Sequence, residues 1–124
     1  MTGSIQQAVS ELQQLQRYIE QVEEQVQEVS AALESMDEIQ GQEGSEAYVP
    51  LTSGIYVKAR IEDVSRFLIN VGQGVTAAKS LEETKRILQD QQSELEKAQE
   101  GLSKQFSEAY QRYVNLQMQG QEES

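Results

Sequence analysis

The fold is decided by residues 48–80, YVPLTSGIYVKARIEDVSRFLINVGQGVTAAKS, the one part of the chain whose pattern is typical of β-strands. Two runs alternate apolar with polar or small residues, and their apolar positions are Ile55, Val57, Ala59, Ile61, Phe67, Ile69 and Val71. Polar or glycine-containing segments bound the runs at 52–54, 62–65 and 72–74. The pattern predicts four short strands in two hairpins, with Pro50 at an edge or an irregular position, because proline cannot donate to a ladder.

A coiled-coil pattern precedes the predicted strands. Apolar residues recur there at alternating steps of three and four, at Ile5, Ala8, Leu12, Leu15, Ile19, Val22, Val26, Val29, Leu33 and Met36. Ser4 with Gln7 fits a capping box, and Gly41 fits a helix stop. The sequence therefore predicts a helix from about Ser4 to Gln40.

A second helical pattern follows the strands, and Ser80 with Glu83 fits a capping box at its start. Its apolar positions are Leu81, Leu88, Leu95, Leu102, Phe106, Ala109, Tyr113 and Leu116. We call the apolar stripe along each predicted helix its seam. In the second seam, the two consecutive steps of four from Ala98 to Leu102 to Phe106 predict a stutter, which is a break in the alternation of steps of three and four.

The two helical segments are nearly equal in length, which favours antiparallel pairing about the central strands, with facing residue numbers that sum to about 121. The expected class is α+β: a long antiparallel two-helix coiled coil with two central β-hairpins. We expect one domain, with an N-terminal helix in residues 1–46, the hairpins in 47–79 and a C-terminal helix in 80–124.

The composition excludes several function classes. The 124 residues include no Cys and no His, so disulfides, thiolate zinc sites and His-based catalysis are excluded. The net charge is -11, with -9 in residues 1–46, +2 in 47–79 and -4 in 80–124, so nucleic acid is not an expected partner. No apolar run suits a signal peptide or a membrane span, and the expected location is the cytoplasm.

Two local patterns have a functional and a plain interpretation. Residues 72–77 match the relaxed dinucleotide fingerprint G-x-G-x-x-A, but the context of a parallel strand and crossover helix is absent, so a hairpin turn is favoured. Glu20, Glu24 and Glu28 could hold a cation, although a solvated helix face is the simpler interpretation. We therefore expect no cofactor, no metal and no enzyme activity.

The predicted hairpins suggest an assembly surface. Two hairpins expose unpaired strand edges, which pairing with strands of other subunits would cover by closing a β-barrel across subunits. The expected assembly residues are Val49, Leu51, Ile55, Val57, Ile61, Phe67, Ile69, Val71 and Val75.

The order helix, two hairpins, helix resembles prefoldin subunits, and "YVPLTSGIYVKARI", "FLINVGQGV" and "AAKSLEET" resemble the alpha class. The resemblance covers essentially the whole chain. It implies a hexameric chaperone of two alpha-class and four beta-class subunits, which captures unfolded polypeptides between the coiled-coil tips without ATP and transfers them to a group II chaperonin.

The expected client-binding residues lie at the free end of the coil, where neighbours are fewer. They are Ile5, Val9, Leu12, Tyr113, Leu116 and Met118. Of these, Val9 and Met118 lie off the seam and are expected to be exposed. Ile5, Val9, Tyr113, Leu116 and Met118 should be less covered than residues nearer the middle of the coil, such as Val26 and Leu95. An alternative function remains open: a structural coiled-coil scaffold or filament-forming protein that holds no client.

Overall fold

The computed structural model describes residues 2–123, and the side chains of residues 4–120. Two long helices flank four strands, in the order α1 (Thr2–Ile39), β1 (Glu46–Thr52), β2 (Ile55–Arg60), β3 (Arg66–Gly72), β4 (Val75–Ser80) and α2 (Leu81–Glu123). The expected two helices and two hairpins are therefore confirmed. Helix α1 already includes Thr2, so the capping box predicted at Ser4 is wrong: Ser4 lies inside the helix.

The chain divides into two compact units. The first, called the arm unit, consists of residues 2–29 and 91–123, and the second, called the hairpin unit, consists of residues 30–90. In the arm unit, Arg112 Nη2 donates to Glu11 Oε1 at 2.8 Å. In the hairpin unit, Lys85 forms an ion pair with Asp37. Within each unit the helices therefore run antiparallel, in nearly the register that the seams predict.

The α1 seam is as expected, because every one of its ten apolar positions is buried or half-buried. Ala8, Leu15 and Ala109 are the buried apolar residues of the arm unit. Burial by small residues lets two helix backbones approach closely. The coil core is therefore thin, as expected of a two-helix pair.

The stutter predicted in α2 is wrong. Ala98 is exposed and Gln99 is half-buried, so steps of three and four continue from Leu95 through Gln99 and Leu102 to Phe106. Gln92 is half-buried as well. The two consecutive steps of four fall earlier, at Thr84, Leu88 and Gln92. The sequence pattern missed both glutamines because it scored only apolar residues, whereas a glutamine can bury its aliphatic stem.

The hairpin unit contains two separate two-stranded antiparallel sheets, β1–β2 and β3–β4. In β1–β2, Val49 pairs with Val57, and the register shifts between Pro50 and Thr52. The irregularity expected at Pro50 is confirmed. In β3–β4, Ile69 pairs with Ala77 across the ladder.

The segment that joins the two hairpins is tied to both helices. Gln40 Nε2, at the end of α1, donates to the Val64 carbonyl at 3.0 Å. The Leu81 backbone N–H, at the start of α2, donates to the Ser65 carbonyl at 3.2 Å. Val64 is only 3% exposed, so the prediction that residues 62–65 form merely a polar turn was incomplete.

Local hydrogen bonds fix the inner helix ends. At α2, the Glu83 N–H donates to Ser80 Oγ at 3.1 Å, and the Ser80 N–H donates to Glu83 Oε1 at 3.4 Å. This is the predicted capping box. At α1, the Gln42 N–H donates to the Ile39 carbonyl at 3.1 Å, and Gly41 has φ +83°. A residue with a side chain would be strained there, which explains the glycine stop.

Candidate functional site: the hairpin surface and the arm end

Most of the expected assembly residues are exposed. Those exposed are Val49, Leu51, Ile55, Val57, Val71 and Val75. The remaining three, Ile61, Phe67 and Ile69, are half-buried within the hairpin unit. Of the twelve large apolar side chains that are exposed in the described part of the chain, nine lie on the strands. A surface this apolar, on so short a segment, is typical of a surface that another protein covers.

The hairpins also leave strand edges unpaired. Each described strand hydrogen-bonds along its ladder to one neighbour, so its other edge is free to accept a further strand. An isolated two-stranded hairpin is marginally stable in water. The edges and the apolar side chains thus favour the same outcome, which is sheet extension by other chains.

The opposite faces of the hairpins also carry exposed apolar residues, and one of them, Leu68, was not expected from the sequence. Leu68 is 78% exposed and pairs with Ala78, on the face away from Phe67 and Ile69. Tyr48 and Tyr56 are exposed on the corresponding face of the first hairpin. The alternation could have identified Leu68, because it is a large apolar residue at a position where the pattern calls for a polar one.

The arm end is more covered than expected. Of the six expected client-binding residues, only Met118 is exposed, at 60%. The others are half-buried, the same class as Val26 and Leu95: Ile5, Val9, Leu12, Tyr113 and Leu116. The predicted exposure of Val9 is therefore wrong, and that of Met118 is confirmed. Only Met118 belongs to a more exposed class than the seam residues Val26 and Leu95.

Neighbouring contacts explain this coverage. A Cβ atom on Gly120 would lie 3.4 Å from Ile5 Cδ1, so the end of α2 closes over the start of α1. Tyr113 packs beside Tyr110, with ring centroids 6.4 Å apart, and Tyr110 is 52% exposed. Tyr110 and Met118 therefore present exposed apolar surface at this end.

Charged side chains on the described surface form few ion pairs. Lys58 pairs with Glu46 across β1–β2 at 3.0 Å, and both side chains are more than half exposed. Such exposed pairs contribute little to stability.

In the linking segment, hydrogen bonds from the Ser65 hydroxyl and backbone N–H hold the pKa of Asp63 below its usual value. These contacts order a turn and perform no chemistry.

The glycine-rich segment is a hairpin turn. Gln73 has φ +52° and Gly74 has φ +77°, and the chain then continues directly into β4. Two consecutive residues with positive φ are typical of the type I′ turn that joins tightly paired strands. Because no helix begins after the turn, the N-terminal N–H groups that would cradle a phosphate are absent from this segment.

Two searches cover the part of the chain that the structure describes. Among the described side chains, those of residues 4–120, no cluster of three or more acidic, His or Cys groups has the placement of a metal site. Neither α1 nor α2, as far as the structure describes them, is long and apolar enough to cross a membrane.

Two long helices joined through two hairpins, with the hairpin surface left apolar and unpaired, define a class of coiled-coil assembly subunit. The chain belongs to the prefoldin family: the family model described as "Prefoldin subunit" matches residues 8–124. The resemblance to the alpha class is confirmed by relatives that bear that name.

Two of these relatives are archaeal proteins named prefoldin subunit alpha. The protein of Thermofilum pendens is 32% identical over 84 residues, covering 67% of this chain and 65% of the relative. The protein of Methanobrevibacter smithii is 26% identical over 82 residues, covering 66% of this chain and 56% of the relative. The chain thus spans between half and two thirds of the length of these curated relatives.

A solved structure has the same fold. It is a cryo-EM structure of filamentous PFD from Methanocaldococcus jannaschii, with a TM-score of 0.80 and 19% sequence identity. The match covers 94% of this chain and 97% of that one. At this identity the likeness concerns the fold.

Proposed function

We propose that this chain is an alpha-class subunit of a hexameric, ATP-independent chaperone located in the cytoplasm. Two copies join four beta-class subunits through their hairpins, and the arms hold unfolded polypeptides and pass them to a group II chaperonin. The observation that carries the proposal is the apolar hairpin surface with its free strand edges, in a chain that belongs to the prefoldin family.

Assembly is supported by the amount of apolar surface that the hairpins leave in water. Leu51, Ile55 and Val75 are each more than half exposed. Each apolar Å² removed from water contributes about 25 cal/mol, so pairing that covers several such side chains stabilises an assembly by several kcal/mol. Sheet extension adds backbone hydrogen bonds along the free edges, which fix the orientation of the subunits.

Client holding is supported by many weak contacts acting together. Met118 and Tyr110 offer exposed apolar and aromatic surface at the arm end, and the half-buried Ile5 and Leu116 lie beside them in the coil seam. Each contact alone is feeble. Arms linked in one assembly raise the effective concentration of binding sites, which increases avidity by about 10²-fold or more without any strong single contact.

A second candidate function is a scaffold or filament that holds no client. The likeness to a structure whose title describes filamentous PFD favours it, because the same free edges could pair with further copies of this chain. Size analysis of the chain with and without a beta-class partner separates the two. A defined hetero-hexamer supports the chaperone, whereas extended assembly of the chain alone supports the scaffold.

Client holding is tested by changing Ile5, Val9 and Met118 together to Ser and assembling the variant with wild-type beta-class subunits. We expect a partial loss of aggregation suppression, because the four partner arms still bind. Helicity and hexamer mass serve as controls, and neither should change. Unchanged suppression would place client holding on the partner subunits or on other surfaces. ATP and GTP should have no effect in the same assay.

A further inference from the structure

An open groove of about 580 Å³ lies between α1 and α2 in the arm unit, apart from the arm end and the strands. Its lining combines two apolar residues, two carboxylates and two amides: Val29, Leu95, Glu28, Glu94, Gln25 and Gln91. None of the residues that we expect to bind clients at the arm end belongs to it.

The α2 segment beside the groove is mostly polar. The seam reaches Gln92 by two consecutive steps of four, and α2 carries no large apolar residue between Leu88 and Leu95. Gln92 enters the seam half-buried, while Gln91 stays exposed.

Negative charge surrounds this groove without compensation. Neither Glu28 nor Glu94 forms an ion pair with a described Lys or Arg, although four other carboxylates of the described chain do so. The sequence has no Lys or Arg between Arg17 and Lys58, and none between Arg86 and Lys97. The two helix segments that line the groove therefore both lack positive charge.

We propose that this groove binds Lys and Arg side chains of the unfolded polypeptide that the arms hold. The proposal rests on the proposed function and adds a chemical preference to it. A long basic side chain has an apolar stem and a charged head, and the lining offers both an apolar pair, Val29 and Leu95, and two carboxylates. A guanidinium can also donate to a carboxylate and to the Gln91 amide oxygen together.

The lining fits this occupant better than it fits others. Two carboxylates without a third acidic ligand make a poor cage for a divalent cation, which takes six or more oxygen ligands. A nucleic acid would be repelled by the same charges. A purely apolar segment would cover both carboxylates and remove them from water without a partner, which is costly.

The test uses the full chain and two fluorescent, unstructured 12-residue peptides that differ at one position, one with Arg beside a Leu and the other with the neutral isostere citrulline. Fluorescence anisotropy gives each Kd at low and high salt. We expect the Arg peptide to bind about fivefold more tightly, the size of one or two partly exposed charge contacts. This preference should shrink at high salt, because screening weakens the contacts.

Two variants locate the preference. The double variant Glu28→Gln with Glu94→Gln should abolish the preference for the Arg peptide. The matched control, Glu24→Gln with Glu96→Gln, should retain this preference, because it removes the same net charge from exposed positions outside the groove. A third variant, Gln91→Phe, should weaken the binding of both peptides, because the larger side chain fills the groove. Circular dichroism shows whether each variant keeps its helicity.

Three outcomes would overturn the proposal. They are equal Kd values for the two peptides, equal effects of the two double variants, and a change of oligomer mass in Glu28→Gln with Glu94→Gln, which would make the groove a contact between copies. Aggregation suppression by the assembled wild-type complex is measured in parallel. If suppression persists while the Arg preference is absent, this inference fails and the proposed function stands.

Discussion

Val64 offers the sharpest test of how the hairpin unit is held together. Its side chain is 3% exposed, and the segment around it bonds to the ends of both helices through Gln40 and Leu81. Val64→Ala removes two buried methyl groups at about 0.8 kcal/mol each, and the unfilled volume adds a further penalty. The expected loss is about 2–3 kcal/mol of local stability.

Hydrogen exchange measured by mass spectrometry on the chain alone reads this loss directly. The amides of Ile61 and Leu81 donate to the Ser45 and Ser65 carbonyls beside the segment. When reclosing is fast and the opening equilibrium sets the exchange rate, a loss of 2–3 kcal/mol speeds exchange of these amides by about 30- to 150-fold. Amides in the arm unit should be unaffected.

Val75→Ala is the matched control, because it deletes the same two methyl groups from a side chain that is 57% exposed. In the chain alone it should change exchange by less than about threefold, as for other exposed positions. In the presence of beta-class subunits, Val75→Ala should instead weaken assembly. Equal exchange effects of the two variants in the chain alone would refute the role assigned to Val64.

Three further changes test the cap and the assembly surface. Ser80→Ala should cost about 1 kcal/mol by removing the cap of α2, whereas Ser103→Ala in mid-helix should cost nothing, and thermal melts followed by circular dichroism compare them. Hydrogen bonds from the Ser80 hydroxyl and backbone N–H lower the pKa of Glu83 in the folded chain. The ionised Glu83 carboxylate therefore stabilises the fold fully above its unfolded-state pKa, and this stabilisation is lost as pH falls through the lowered value. Melts between pH 7 and pH 3 should therefore show a smaller acid-induced loss in Glu83→Gln, and an identical loss would contradict this. Ile69→Lys should prevent hexamer formation but leave the helices intact, because burying an unpaired ammonium in the shared sheet costs several kcal/mol. Native mass spectrometry measures the assembly, and a full-sized hexamer of this variant would disprove the prediction.

The sequence by itself determined the order of the elements and most of their ends. A seam with steps of three and four can be satisfied only by a helix that lies against a partner, so the α1 positions from Ile5 to Met36 follow from the residues alone. Caps and turns are equally local. Ser80 with Glu83 and the glycines at positions 41 and 74 act through hydrogen bonds and φ angles within a few residues.

Tertiary structure decided which residues are covered, because burial depends on what lies opposite. Ala98 is apolar but exposed, and Gln99 is half-buried, because Gln99 and not Ala98 continues the steps of three and four from Leu95 to Leu102. Val64 looked like a turn residue until the segment was seen tied to both helix ends. The arm end looked open in sequence, yet Gly120 of α2 lies close to the Ile5 side chain. The groove lined by Glu28 and Glu94 is likewise invisible in either helix alone, because both helices contribute to its lining.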